Sequence, residues 1–538
     1  MPVVRLHYDD MEKLVGASRD TIMARLPMMG ADVGKGEGEL FADVEFFPDR
    51  PDLYSPEGVA RAMKGFLGLE TGLQEYEVGR GSIVLQVEES VKDVRPIIGC
   101  AVVRGLAFSD ESIESLMGLQ EDLHWGLGRN RRKVAIVVHD ISRVKPPFRY
   151  LGADPSWEFV PLDFQEKMSM AEILKEHPKG REYGHILQGF RRYPLILDAN
   201  DDVLSFPPII NGELTRVRED TEDLFIDVTG TDSAVYKALN IVVTSLAERG
   251  GRIESVLLKR SEGDLFSPDL APARWTVNAD EANSLIGFQL SPQQLANCLE
   301  KMRLGATPSG KSVEVLVPAY RADVMHSWDI FEDAAIGWGY DNLEAELPQT
   351  ATVGRPHPLK MREEEVRELM AGLGYLEVMP FTLTSEAVHF QRMRREPGRA
   401  IRVMHPISEL HTIIRTSLLS SLLEILSLNQ HHPLPQSIFA VGEAVEDRNT
   451  TMNLAAASIH SRASFSEIRS LVDACLREMA IAAEMAPSDD GAFWPGRGAD
   501  IYVEGERIGC FGEVHPEVIR GFGLEQPVVA MEMRWGEL

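Results

Sequence analysis

The stretch Arg321-Ala322-Asp323-Val324-Met325-His326-Ser327-Trp328-Asp329-Ile330-Phe331-Glu332-Asp333-Ala334-Ala335-Ile336-Gly337-Trp338-Gly339-Tyr340-Asp341-Asn342 holds four acids, Asp323, Asp329, Glu332 and Asp333, whose spacing governs the reading of the whole chain. Asp329 and Asp333 stand four apart and Asp329 and Glu332 three apart, so on a helix these three side chains share one side. Asp323 lies just upstream, where the chain enters that helix from a strand. Like charges so placed repel by roughly a few tenths of a kcal/mol per pair, and the cluster needs a positive charge to offset it. Carboxylates in this number suit Mg²⁺, a hard cation that accepts a few of them and keeps some waters. Acids in a first helical turn also favour the helix dipole, which accounts for Asp329 but less well for a group of four.

Immediately upstream, Ser291-Pro292-Gln293-Gln294 reads as a capping box with proline at the first helical position. Leu295, Cys298, Leu299 and Met302 then recur at helical spacing. The octet Gly305-Ala306-Thr307-Pro308-Ser309-Gly310-Lys311-Ser312 matches the phosphate-binding P-loop pattern letter for letter. A P-loop needs a strand before it and a helix N-terminus after it, so that amides and dipole converge on phosphate. Here a helix precedes the octet and the alternating Val313, Val315, Val317 strand follows, while Pro308 removes an amide. The octet is therefore expected to be a helix-to-strand turn. Residues 270–345 together have the size and layout of a small winged-helix-like module.

Three further segments flank this one. Residues 1–75 open on a strand-like Val3-Val4-Arg5-Leu6-His7, turn helical from Asp9, and carry Phe47-Pro48-Asp49-Arg50-Pro51-Asp52-Leu53-Tyr54-Ser55-Pro56-Glu57-Gly58-Val59-Ala60-Arg61. Prolines at 48, 51 and 56 enforce an extended, turn-rich path. A helix is then expected from Ser55 as N-cap with Pro56 at its first position. Residues 82–262 mix strands such as Ile83–Val87 and Val134–Val138 with helices near Met168–Glu176 and Val235–Arg249. Residues 350–538 again mix helices (Met361–Gly374, Thr416–Asn429, Ser466–Ala483) with strands, and 500–511 reads as a hairpin turning at Gly505-Glu506.

The chain's 538 residues are too many for one core, and no apolar stretch reaches the roughly 20 residues that span a bilayer. Cys100, Cys298, Cys475 and Cys510 are scattered without a C-x-x-C pair, as expected of core residues in a reducing cytoplasm. The net charge of −28 argues against a chain that wraps nucleic acid by itself, since phosphate neutralisation supplies most of such affinity. Two local basic patches, Arg129-Asn130-Arg131-Arg132-Lys133 and Arg392 to Arg399, are either RNA-facing or solvated surface.

The Arg321–Asn342 string resembles the signature of phenylalanyl-tRNA synthetase β subunits. Asp49 to Arg61 is similar to that family's N-terminal motif, with Asp49 where asparagine is commoner. His124-Trp125, Gly128 to Lys133 and Val138-His139-Asp140 resemble the editing domain of the archaeal and eukaryotic branch. Ser408-Glu409, Ile414 to Leu419, Asn429 and Phe439 to Glu443 resemble the C-terminal catalytic-like module, so the likeness covers the chain in the family's order.

That resemblance implies a multidomain α+β architecture: winged-helix-like modules at 1–75 and 270–345, an α+β editing domain at 82–262, and at 350–538 a degenerate class II synthetase-like antiparallel sheet with helices. It implies that Asp323, Asp329, Glu332 and Asp333 bind Mg²⁺ where this chain meets an α subunit. Phenylalanine activation with ATP and transfer to tRNA(Phe) would then occur on α, in a cytoplasmic α2β2 heterotetramer. No arginine-bearing glycine-rich end motif is convincing in 490–538, Gly496-Arg497-Gly498 being the nearest. This chain's own chemistry would be hydrolysis of mischarged tyrosyl-tRNA. A pocket shaped for phenylalanine rejects an added hydroxyl by only about a hundredfold, so a second site is needed. Its lining is expected from Ser205, Asn211, Asp227 and Thr229, with RNA contacts from Arg129, Arg131, Arg132 and Lys133. Ser205 lacks an evident histidine nearby in sequence, which favours a positioned water over a covalent nucleophile. Two alternatives stay open: a free-standing tRNA-editing esterase and a non-enzymatic scaffold.

Overall fold

The computed structural model describes residues 2–34, 40–345, 347 and 352–535. The chain divides into two compact units, Met1–Glu346 and Leu347–Leu538. Both are mixed α+β.

The first unit begins with a three-stranded antiparallel sheet in which Phe41–Phe46 lies between Val3–His7 and Ala31–Val33. A ten-stranded sheet follows. Its order is Ile210–Asn211, Val203–Phe206, Tyr193–Leu197, Phe148–Ala153, Val78–Val87, Arg252–Lys259, Ile97–Arg104, Leu224–Gly230 and Val134–Asp140, with Leu265–Ser267 added beside Arg252–Lys259. The two ends of that order approach each other, since the Asn211 side-chain amide donates to the Val138 carbonyl at 3.5 Å. The sheet therefore curls on itself. This explains the unbroken apolar runs in Leu224–Gly230 and Val134–Asp140, which are buried along their whole length. One face packs against the helix Ala234–Glu248, which joins Ala101, Val103, Ile226 and Val228 in one core. The other face, with Cys100, Val102, Phe148, Tyr150 and Phe225, closes the interior of the curl.

The third module pairs Ser312–Val317 with Ala273–Asn278 on one side and Gly305–Ser309 on the other. The P-loop-like octet is thus a strand and its turn, which corrects the expected helix-to-strand turn. Gly305–Ser309 is an edge strand, where Pro308 forfeits no ladder hydrogen bond, and Gly310 supplies the positive φ of the turn (63°). The capping box forms as read: Ser291 Oγ accepts from the Gln294 amide at 3.3 Å, and the Gln294 side chain accepts from Ser291 N at 2.9 Å. The acid-bearing helix runs Ser327–Trp338.

The second unit is built on a seven-stranded sheet, ordered Leu376–Glu377, Gln436–Glu446, Asn449–Ile459, Val528–Arg534, Glu506–Val514, Phe493–Val503 and Glu484–Pro487. All its pairings are antiparallel except that of the short edge strand Leu376–Glu377. The helix Leu419–Leu428 packs on one face, and Pro358–Gly372 with Phe465–Glu478 on the other. The hairpin turn falls on Glu504-Gly505, one residue earlier than the sequence suggested. Both residues take positive φ (51° and 83°), as a two-residue turn matched to strand twist requires.

One close approach fixes how the N-terminal motif folds. Ser55 caps the helix Pro56–Phe66, its Oγ accepting from Gly58 N at 3.2 Å. A Cβ at Gly58 would stand 1.8 Å from the Asp52 carbonyl oxygen, so only glycine lets the Pro51–Leu53 turn fold back onto the helix start. Gly58→Ala is expected to destabilise the first unit by about 1–3 kcal/mol through overpacking. Thermal unfolding followed by circular dichroism checks this, and an unchanged melting temperature would contradict it.

Candidate functional site

Two constellations in the first unit carry chemistry. The first joins the N-terminal motif to the acid helix. Asp52 is buried and accepts two hydrogen bonds from Arg50, Nε at 2.8 Å and Nη2 at 2.9 Å, with Arg61 Nη2 at 3.9 Å. The Arg61 guanidinium lies 3.6 Å from the centroid of the Tyr320 ring and donates to Tyr76 Oη at 3.2 Å. Next along the chain, Arg321 bridges two of the four acids: its Nη2 reaches Asp323 at 2.6 Å and Asp333 at 2.8 Å. Burial opposes the Asp52 charge, but Arg50, Arg321 and Arg61 outweigh it and bring its pKa down to about 2. Burial works against Arg321 as well, yet Asp323 and Asp333 hold its proton well above the ordinary arginine range.

The remaining acids face a cavity of about 1140 Å³, lined on the acidic side by Asp49, Asp323, Asp329 and Glu332 and elsewhere by Arg129, Arg132 and Trp125. Asp329 Oδ2 accepts from the amides of Met325 and His326, both at 2.7 Å, and so caps its own helix. Burial, then Asp49, Asp333 and Asp329, push the Glu332 carboxyl above its usual range. In kind, this donor set suits a hard cation. As a four-carboxylate shell it does not close, because Arg321 already takes Asp323 and Asp333. Among the described residues no group of three or more His, Cys, Asp or Glu side chains is gathered as a metal ion requires. The positive offset that the acid spacing demanded is thus supplied here by Arg321, a residue of the same quoted stretch.

The second constellation lies inside the curled sheet. Asp227, on Leu224–Gly230, is fully buried; its Oδ2 meets His139 Nε2 at 2.7 Å and accepts from Ser205 Oγ at 3.2 Å. His139 Nδ1 meets Thr215 Oγ1 at 2.7 Å. Thr229 accepts at Oγ1 from Arg95 Nε at 3.0 Å and at its carbonyl from Arg95 Nη2 at 2.8 Å. The structure therefore brings Ser205, Asp227 and Thr229 into one interior, all three closed to solvent, with Asn211 half-buried at the sheet edge. The premise that Ser205 has no histidine nearby is corrected: His139 shares its carboxylate partner. Ser205 donates to Asp227 rather than to the imidazole, so the order of contacts does not activate a serine nucleophile. His139, Thr215 and Arg95 were missed as members of this network. The available signal was a histidine inside the otherwise apolar run Val134–Val138.

The basic loop is partly turned inward. Arg129, Asn130 and Arg131 are consecutive left-handed residues (φ 49°, 54° and 63°). Arg131 pairs with Glu121 at 2.6 Å, donates to the Ile209 carbonyl at 3.1 Å and stacks on Tyr183, so it is tied down rather than presented to RNA. Lys133 is exposed but paired with Asp232 at 2.9 Å, whereas Arg129 and Arg132 open into the cavity. In the second unit the other arginine patch is absorbed: Arg394 pairs with Glu517, Arg395 with Asp490 and Arg399 with Asp447. Arg497 pairs with Glu513 at 2.5 Å.

Comparison with known proteins assigns the class. Residues 275–340 match the family profile described as the tRNA synthetase B5 domain, and residues 343–535 that described as the phenylalanyl tRNA synthetase beta chain CLM domain. These are domains of an aminoacyl-tRNA synthetase subunit. The chain is 68% identical over 535 residues to the phenylalanine–tRNA ligase beta subunit of Methanothrix thermoacetophila, covering 99% of each. It is 41% identical to that of Methanopyrus kandleri, covering 99% of this chain and 98% of the relative. The crystal structure of an N-terminal fragment of the phenylalanyl-tRNA synthetase beta subunit from Pyrococcus horikoshii is similar at a TM-score of 0.61 and 39% identity, over 63% of this chain and 99% of the fragment. The chain belongs to the phenylalanine–tRNA ligase β-subunit family. No helix among the described residues is long and apolar enough to cross a membrane.

The lowered Asp52 pKa sets an acid dependence. A carboxyl at about 2 in the fold and near 3.8 unfolded adds stability that is complete above about pH 4 and is lost as pH falls towards 2. Asp52→Asn is expected to lower the melting temperature at neutral pH and to flatten its decline between pH 5 and pH 3. Melting curves across that range check it; parallel acid profiles for wild type and variant would contradict it.

Proposed function

We propose that this chain is the scaffold and proofreading subunit of a heterotetrameric phenylalanine–tRNA ligase. Its α partner activates phenylalanine with ATP and charges tRNA(Phe), while this chain hydrolyses mischarged tyrosyl-tRNA(Phe). In this reading residues 1–75 and 270–345 are winged-helix-like modules, 82–262 is the editing domain and 350–538 the class II-like module. The observation that carries the editing assignment is the Ser205–Asp227–His139 network, a polar cluster sunk in an apolar interior that packing alone does not call for. Ser205, Asn211, Asp227 and Thr229 recognise the tyrosine, and a water held there attacks the ester carbonyl. The tRNA alcohol leaves and the freed tyrosine carries the new carboxyl oxygen. Arg129 and Arg132, open at the cavity, give RNA a local positive contact that the net charge of −28 denies it elsewhere. Asp227→Ala in the assembled enzyme is expected to slow deacylation of tyrosyl-tRNA by about tenfold or more, the loss of a hydrogen bond to a charged group. Deacylation at the wild-type rate would refute the pocket assignment.

For the metal, we infer that Asp323, Asp329, Glu332 and Asp333 hold a structural Mg²⁺ at the junction with α. The ion would supply positive charge to a crowded carboxylate wall. Arg321 competes for two of those acids, so Asp329 and Glu332 are the informative positions. Asp329→Asn combined with Glu332→Gln, which leaves the Arg321 pairs intact, is expected to lower both Mg²⁺ retention and copurification with α. Metal analysis of the purified complex measures the first and subunit pull-down the second; no change in either overturns the assignment. Copurification with α also separates this reading from a free-standing esterase.

A further inference from the structure

The Asp227 carboxylate is held from one side only. Both contacts, from His139 Nε2 at 2.7 Å and Ser205 Oγ at 3.2 Å, fall on Oδ2. Oδ1 is buried and has no hydrogen-bond partner among the described residues. A bare carboxylate oxygen in a dry interior is unfavourable, and a fold tolerates one where something else supplies the donor. The clamp itself is firm. In the register of Leu224–Gly230 against Val134–Asp140, Asp227 lies opposite Val137 and His139 opposite Phe225, so the acid and the imidazole form a diagonal pair on one face. The imidazole stacks on Phe225, ring centroids 5.9 Å apart, and its far nitrogen meets Thr215 Oγ1 at 2.7 Å. Thr215 in turn stands 3.3 Å from the Gly212 carbonyl and 3.5 Å from that of Leu204. His139 is therefore fixed at both nitrogens and across its ring.

We propose that His139, backed by Thr215, is a positioning residue of the editing site: it clamps Asp227 through Oδ2 and presents Oδ1 as the acceptor for the phenolic hydroxyl of a mischarged tyrosine. The inference rests on the editing reading above. A phenylalanyl group has no donor for that oxygen and leaves it bare, whereas a tyrosyl group supplies one. A site built to hydrogen-bond a substrate hydroxyl rejects the analogue lacking it by about 10⁴-fold, far more than an apolar pocket achieves in reverse. Asn211, half-buried and joined to the Val138 carbonyl at only 3.5 Å, is the weakest tie across the closed sheet and marks the side from which the ring enters.

The test compares deacylation of tyrosyl-tRNA with that of phenylalanyl-tRNA by the assembled α–β enzyme, for wild type, His139→Leu, His139→Gln and Thr215→Val. The tyrosyl-to-phenylalanyl rate ratio is expected to fall about tenfold to a hundredfold in His139→Leu, the effect of freeing a hydrogen-bonded charged group. It recovers most of the way in His139→Gln, whose amide still donates to Asp227, and lies between the two in Thr215→Val. A purely structural histidine predicts that both rates change together and the ratio stays constant, which would overturn the proposal. Should His139→Leu fail to assemble, the ratios of Thr215→Val and His139→Gln decide by the same criterion. A wild-type enzyme with no preference for tyrosyl-tRNA would refute the editing reading itself. A wild-type preference that all three variants retain would refute only the role of His139.

Discussion

Three arginines and three aspartates, Arg50, Arg61, Arg321, Asp52, Asp323 and Asp333, run as a buried chain of charge between the N-terminal motif and the acid helix. Taking such groups out of water is costly, and removing one partner leaves an uncompensated charge behind. The chain of pairs is consequently stable only when complete. That demand fixes the Pro51–Leu53 turn against the start of the Pro56–Phe66 helix, sets Tyr320 under Arg61, and places Asp329 and Glu332 on the wall of the large cavity. The geometry of the proposed metal site follows from the completeness of the arginine–carboxylate chain beneath it.

The curled sheet depends on this frame through another arginine. Arg95 is almost fully buried, and the partners it donates to are neutral oxygens: Thr229 Oγ1, the Thr229 carbonyl, and the carbonyls of Arg131 and Arg132 at 3.1 and 3.3 Å. Burial lowers its pKa to about 10, which leaves it charged at neutral pH. Residues held in left-handed backbone away from glycine store strain of roughly 1–3 kcal/mol each, and three in succession at Arg129 to Arg131 need an external clamp. Arg95 supplies it. The same guanidinium thus joins the loop that opens into the cavity to the strand that carries Asp227 and Thr229.

How much of this was legible in the sequence depends on the range over which each feature is decided. The Ser55 cap, the Ser291–Gln294 capping box and the helix that follows each were readable because a cap and its amide lie within three residues. The P-loop-like octet was rightly refused as a phosphate site, yet its conformation was misjudged. Whether Pro308 sits in a turn or an edge strand is settled by what pairs with Val313 from outside the octet. The acid spacing correctly called for a positive charge. That Arg321, in the same stretch, would reach both Asp323 and Asp333 was not visible, because a strand-to-helix bend of unknown angle separates them.

By itself the sequence determined the family, the order of the modules, the one-sided placement of the acids and the identity of the pocket candidates, since each rests on residue type and local spacing. Tertiary structure decided which charges neutralise which, turned Arg131 and the arginines after Arg392 into internal pairs, and brought His139 to Asp227 from a strand 88 residues away. The physical reason is the same in each case. Periodicity and capping are set by backbone geometry over a few residues, whereas burial, desolvation and charge pairing depend on which distant surfaces the fold presses together.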